Sequence, residues 1–329
     1  MLLFLQSTGL FNFRDLQLIA PELIITVVAC LALVMEVILP YRFSKWTAWF
    51  SLLGIALALT SLGAQFISMG GSFNLSALQS VTPVDGFYYM VRVDGFALIL
   101  KAIFLIAAAL AVAISTRFLD IEREQHGEYY ALVLFATVGM MFLGSGSDLI
   151  SLYISLELMA VTFYVLVAFT KRQKRSNEAG MKYFLLGAFS SGILLYGMSL
   201  LYGLAGSTNL TTIGQSVGKI MSAAPNSDLA NLRPMLLLGM IALAAGLFFK
   251  IAAVPFHMWA PDAYEGAPTS VTAFLSTGSK AASFALYARI FFAFRWLIMS
   301  GSHSSSESRK ETNSPCASRM PVLMAAHWP

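Results

Sequence analysis

The sequence predicts an all-α integral membrane protein of about eight transmembrane helices, and three observations carry that prediction. Of 329 residues, 57% are hydrophobic and only 12% charged, with a mean hydropathy of +0.72; a soluble domain of this length could not bury so much apolar surface. The apolar residues gather into runs of about 20, the length a helix needs to cross a bilayer. Inside those runs stand isolated ionisable residues, each costing about 2.5–3.5 kcal/mol on insertion scales, so they are seldom kept there without a partner or a task.

Taken in order, the expected spans are Leu16 to Leu39, Trp46 to Met69, Gly95 to Ser115, Tyr130 to Ser147, Leu149 to Thr170, Lys182 to Ala205, Met235 to Val254 and Val271 to Met299. The first is too long, and too free of an A-x-A cleavage site, to be a removable signal, so it is expected to stay as helix one. Gly70 to Arg92, rich in Gly, Ser, Thr and aromatics, reads as an extramembrane loop with room for a short hairpin. Gly206 to Arg233 reads as a second polar connection. The chain is expected to divide into residues 1–128 with helices one to three, 129–299 with helices four to eight, and a polar tail, 300–329.

The remaining composition excludes several classes. Cys30 and Cys316 form neither a CxxC pair nor a disulfide framework. His126, His257, His303 and His327 do not cluster at metal-ligand spacing, and Gly144-Ser145-Gly146-Ser147 lacks the strand context of a nucleotide loop. There is no flavin, haem or iron–sulfur signature, so no cofactor is expected on this chain. A net charge of +4 without a basic patch interleaved with aromatics argues against nucleic acid. The expected partners are lipid and other membrane subunits.

Basic residues suggest the orientation. With the N-terminus outside, the inner loops carry Arg42, Lys45, Arg117, Arg123, Lys171, Arg172, Lys174 and Arg175, against Arg14, Arg92, Lys219 and Arg233 outside. The Lys171–Arg175 run is expected to be a topogenic anchor for anionic lipid rather than a chemical site.

The candidate site residues are the ionisable groups within the spans. Lys250 ends the apolar helix Leu236–Lys250, immediately before Val254-Pro255-Phe256-His257-Met258-Trp259-Ala260-Pro261-Asp262; it is either a buried proton carrier or a helix-end lysine reaching the headgroups. Glu157 lies about two turns into helix five and Lys280 near the middle of helix eight, beside Ser276, Thr277 and Ser279, which can line a hydrated path. Glu157 has the alternative of a structural, hydrogen-bonded carboxylate. Lys182 opens helix six, where a snorkelling anchor is the alternative. Lys101 on helix three reads as a structural pair or a subunit contact, and Glu36 as interfacial. Pro255 removes a backbone donor and interrupts the helix, and irregular backbone at membrane depth survives only where it is buried in protein or borders a water-filled cavity. His257 stands at that break and titrates near neutral pH, unless it only satisfies loop carbonyls.

These groups suit proton movement. Desolvation disfavours a lysine's charged form and an approaching carboxylate restores it, so a Lys/Glu pair can be loaded and unloaded. One pKa unit is worth about 1.4 kcal/mol, so a coupling of a few kcal/mol moves a lysine by several units.

The order Glu157, Lys182, Lys250, then Val254-Pro255-Phe256-His257 through Gly266-Ala267-Pro268-Thr269 to Lys280 resembles the antiporter-like proton-translocating membrane subunits of respiratory complex I, within which it looks most like subunit N of bacterial NADH-quinone oxidoreductase. The resemblance covers roughly residues 10 to 298. It implies two inverted five-helix repeats forming half-channels joined by a polar axis, with the helix interrupted near Pro255. It implies Glu157 and Lys250 as a regulating ion pair, Lys182 and His257 as relays, and Lys280 as the central carrier. It further implies a place in the bacterial inner membrane, beside other complex I membrane subunits. NADH, FMN, iron–sulfur clusters and quinone would be handled elsewhere in that complex. The same charged helices would serve a multisubunit cation/proton antiporter, and a structural or assembly subunit without its own proton path is a third reading.

The chain departs from the resemblance after Met299, where Gly301-Ser302-His303-Ser304-Ser305-Ser306 opens the polar tail and no second repeat follows. Eight spans from an outer N-terminus would also leave Arg309, Lys310 and Arg319 outside, against the trend. The expectation is a truncated or frameshifted reading frame, with a tail that is disordered or frameshift-derived.

Overall fold

The computed structural model describes residues 13–38, 45–71, 82–122, 126–225 and 227–291. A short helix α1 (Phe13–Leu18) leads into α2 (Ala20–Ile38), which carries Pro21 in its first turn, where a missing N–H costs nothing. Then come α3 (Lys45–Ser68), the antiparallel hairpin β1 (Val84–Gly86) and β2 (Val91–Val93), and α4 (Gly95–Glu122). These are followed by α5 (His126–Ser145), α6 (Leu149–Val167), α7 (Lys174–Ala205), α8 (Leu210–Ser222), α9 (Arg233–Ile251) and α10 (Trp259–Gly266). Helix α11 (Thr269–Phe274) passes through a π-helical turn, Leu275–Ser279, into a last described helix, α12 (280–291).

Among the described residues, seven helices are long and apolar enough to cross a membrane. The eighth expected span begins as α11, the π turn and α12; its residues 292–299, and the tail 300–329, lie outside the described residues. The chain is thus a multi-pass membrane protein whose described residues are mostly helical.

Several boundaries differ from the sequence reading, each for a local reason. Helix α4 continues to Glu122 instead of stopping at Ser115, and Leu119 of the added turns is buried in the core. Helix α7 starts at Lys174, well before Lys182; hydropathy registers only its apolar stretch. The connection after Gly206 contains α8, with Leu210, Ile213, Gly214, Val217 and Ile220 buried on one face. Its start is capped by the Asn209 side chain, which accepts from Thr211 N–H and Thr212 N–H.

Helix α5 is the centre of the bundle and packs against α2, α4 and α6, so residues such as Tyr129, Tyr130, Leu134, Met140 and Met141 are fully buried. Close approach depends on missing side chains. A Cβ on Gly139 would lie 2.8 Å from the Met159 nitrogen and the Ser155 oxygen of α6, and one on Gly197 would lie 2.5 Å from the Leu243 nitrogen of α9. The outer face of α4 is apolar instead of polar: Ile99, Ile103, Ile106, Leu110 and Ile114 are exposed, while Lys101, Phe104, Ala108, Val112 and Ser115 are buried on the opposite face. That inversion places the helix's lysine inside the protein and its isoleucines on the outer surface.

Candidate functional site

The site forms where α9 ends. Ala252 takes a left-handed conformation, φ 57°, and its N–H returns to the Phe248 and Phe249 carbonyls, while Ala253 N–H also returns to Phe248. A residue with a Cβ pays for that conformation. The last carbonyls of any helix lack partners from within it, and the left-handed turn at Ala252 diverts the chain before Val254, whose N–H would reach the Lys250 carbonyl in a continued helix. The Lys250 carbonyl is therefore available, and Lys280 Nζ donates to it at 3.0 Å.

The Lys250 side chain turns inward and is only 5% exposed. Its Nζ donates to Ser191 Oγ of α7 at 3.2 Å and Tyr164 Oη of α6 at 3.4 Å, lying 5.9 Å from the centre of the Tyr164 ring. Tyr164 meets Tyr183 edge-on at 4.7 Å, Tyr183 stacks on Trp259 at 4.4 Å, and Lys280 Nζ lies 4.4 Å over the Trp259 ring. The Trp259 indole in turn donates to the Phe249 carbonyl at 2.9 Å. Two lysines and three aromatic residues thus form a closed circuit around the end of α9.

The structure treats the expected residues differently. Lys250 and Lys280 are brought together, through a backbone carbonyl. Glu157 is half-buried, with one carboxylate oxygen enclosed and without a hydrogen-bond partner among the described residues. The implied Glu157–Lys250 ion pair does not form within 4.0 Å. Glu157 precedes Tyr164 by two turns of α6, about 10 Å along the axis, and it is Tyr164 that stands level with the lysine.

Lys182 and His257 are not buried with them. Lys182 is 48% exposed and pairs with Glu178, one turn earlier on α7, at 2.8 Å and with Asp262 at 3.1 Å. His257 is exposed in the connection between α9 and α10, and its side chain makes no hydrogen bond among the described residues. The Ser276, Thr277 and Ser279 hydroxyls each donate to a carbonyl of their own helix, Ala273 for the first two and Leu275 for the third.

The structure bears out the structural pair expected for Lys101 and adds a partly buried ion pair that the sequence did not signal. Glu22 and Lys101 meet at 2.6 Å with side chains 1% and 0% exposed, so Lys101 does have a structural partner, on α2. Arg289 holds Asp94 through two bonds of 2.7 and 2.8 Å. Tyr164 and Ser191 were also missed, since a hydroxyl in an apolar run carries no signal until its neighbour is known.

The fold and site define a multi-pass helical membrane protein with a buried lysine centre at an interrupted helix. A family model described as NADH:quinone oxidoreductase/Mrp antiporter, transmembrane, matches residues 146–304. The chain is 47% identical over 288 residues to NADH-quinone oxidoreductase subunit N 1 of Koribacter versatilis, covering 88% of this chain and 54% of that protein. It is 44% identical over 281 residues to subunit N of Trichlorobacter lovleyi, covering 85% and 53%. Among solved structures, a chain of respiratory complex I from Thermus thermophilus with bound aureothin superimposes with a TM-score of 0.62 at 32% identity, covering 82% of this chain and 52% of that one. Over most of its length the chain is similar to the antiporter-like membrane subunits typified by subunit N of NADH-quinone oxidoreductase. It spans about half the length of the curated relatives it matches.

Proposed function

We propose that this chain forms part of a membrane-arm subunit of a proton-pumping NADH-quinone oxidoreductase, and that its buried groups move protons across the membrane. The observation that carries this reading is Lys250: a lysine held away from water, with two hydroxyls as its partners. A buried amine of this kind can exchange a proton when a charge near it moves, since desolvation disfavours an ammonium and a carboxylate brought close favours it. Lys280, joined to the same helix end, is the onward carrier in this reading. Lys182 and His257 act as relays, and residues 129–299 make up the translocating repeat.

Electron transfer from NADH through FMN and iron–sulfur clusters to quinone belongs to other subunits, and no cofactor is assigned to this chain. The partners are the neighbouring complex I membrane subunits and lipid, with the quinone pool reached only through the complex. The location proposed is the bacterial inner membrane, N-terminus outside, on the strength of the Lys171–Arg175 run.

The test is quinone-linked NADH oxidation and proton pumping in membranes carrying Lys250→Ala or Glu157→Ala, after assembly of the complex has been verified. Loss of both activities is expected. Unchanged oxidation and pumping would overturn the reading and favour a structural subunit.

A further inference from the structure

The helix that presents Lys280 is not continuous. The π-helical turn Leu275–Ser279 ends immediately before it, and such a turn inserts an extra residue and breaks the regular ladder, which is why π turns mark functional positions. The direction in which Lys280 points is therefore not set by α11 alone. Something beyond the turn has to hold α12.

Arg289 does so. Its guanidinium makes a fork with Asp94, Nη2 to Oδ1 at 2.7 Å and Nη1 to Oδ2 at 2.8 Å. Nε and Nη2 also donate to the Gly144 carbonyl at 3.0 and 2.8 Å, and the group lies 5.3 Å from the centre of the Phe96 ring. The Arg289 and Asp94 side chains are 11% and 24% exposed. All three guanidinium nitrogens are thus engaged, in the planar geometry that makes an arginine fork directional. Asp94 is itself held, because its Oδ1 caps α4 by accepting from Ala97 N–H at 2.8 Å. The anchor reaches the start of α4 and the end of α5.

Arg289 follows Lys280 by nine residues, about two and a half turns, so the two side chains leave opposite faces of α12. One face is pinned to α4 and α5. The other carries the ammonium onto Trp259 and the Lys250 carbonyl. We propose that Asp94 and Arg289 are positioning residues for Lys280: their ion pair holds α12 beyond the π turn at the rotation that seats the ammonium on the end of Lys250's helix. The consequence for pumping rests on the proton-carrier reading above; the positioning itself does not.

Trp259 is a built-in reporter, since a cation over an indole ring changes its emission. The full chain, in lipid membranes, would carry Trp46, Trp49, Trp296 and Trp328 as Phe so that Trp259 alone emits. Lys280→Met is expected to shift the Trp259 emission maximum. Asp94→Asn, which keeps an oxygen to cap Ala97 but removes the charge, is expected to shift it in the same direction. Combining Asp94→Asn with Lys280→Met should add nothing to Lys280→Met alone. Should Asp94→Asn not insert, Arg289→Lys, which keeps the charge but loses the fork, takes its place in the same comparison.

An unshifted spectrum in Asp94→Asn beside a shifted one in Lys280→Met overturns the proposal. So do additive shifts in the double variant, which would mean general loosening, and an unshifted spectrum in Lys280→Met, which would mean that the ammonium is not on the ring. If Lys280→Met complexes pump normally while the Trp259 pattern appears as expected, the proton-carrier reading fails and the positioning stands.

Discussion

Lys280 completes the helix that carries Lys250: its ammonium donates to the Lys250 carbonyl at 3.0 Å, across 30 residues of sequence. The bond makes one lysine's position a boundary condition for the other. A change of charge or position at Lys280 is felt at the last turn of α9, and the Lys250 side chain leaves from that same turn.

Removing the Lys280 ammonium should therefore destabilise the chain and, on the proposed proton-carrier reading, also stop transport. Lys280→Met leaves the Lys250 carbonyl without its donor, and an unsatisfied buried acceptor costs about 1–3 kcal/mol. Reversible unfolding in mixed micelles should show a loss in that range, and Lys280→Arg, which keeps a donor, should lose less. A Lys280→Met chain as stable as the parent would mean that the bond contributes nothing.

Tyr164→Phe should separate the hydroxyl from the ring. The variant keeps the edge-on contact with Tyr183 at 4.7 Å but withdraws one of the two partners of the Lys250 ammonium. Hydrogen bonds to charged groups contribute about 1.5–3 kcal/mol, so pumping in assembled complexes should fall about tenfold or more while assembly is retained. Tyr164→Phe with Ser191→Ala should be worse than either alone. Full pumping in the double variant would show that the ammonium does not depend on these hydroxyls.

The Glu22–Lys101 pair should be intolerant of single changes and tolerant of a joint one. Both side chains are fully buried at 2.6 Å, so removing one partner strands a charge, at about 3–5 kcal/mol, whereas an apolar pair of similar volume is often neutral. Glu22→Leu and Lys101→Met should each reduce folded yield in the membrane and lower the melting temperature. The combined variant should recover most of both. If the combined variant were as damaged as the singles, the pair would be doing more than holding α2 on α4.

Gly197→Leu should separate α7 from α9. Even a methyl group at Gly197 would lie 2.5 Å from the Leu243 nitrogen, so the helices must move apart, and overpacking of this kind typically costs about 1–3 kcal/mol or more. Ser191 on α7 and Lys250 on α9 meet across the same helix pair. Both stability and pumping should fall, whereas Gly203→Ala, on the same helix with only the end of the Met235 side chain at 3.7 Å, should leave both close to the parent's values.

The sequence by itself determined the multi-pass helical architecture, the approximate spans, the hairpin region before α4 and the interruption at Pro255. All of these follow from hydropathy along one dimension and from the backbone chemistry of proline, which need no knowledge of neighbours. It also picked out Lys250 and Lys280, because a charge in an apolar run is visible without a structure. Only the tertiary structure decided what those charges meet. Lys250 faces Tyr164 and Ser191 and not the Glu157 carboxylate, Lys182 lies at an exposed ion pair, and Asp94 finds Arg289 across 195 residues. The physical reason is that every span is apolar nearly all round, so hydropathy does not mark which face turns inward. The inward face is selected by small residues such as Gly139 and Gly197 that let helices approach, and by buried donors that have to find acceptors where no water can serve.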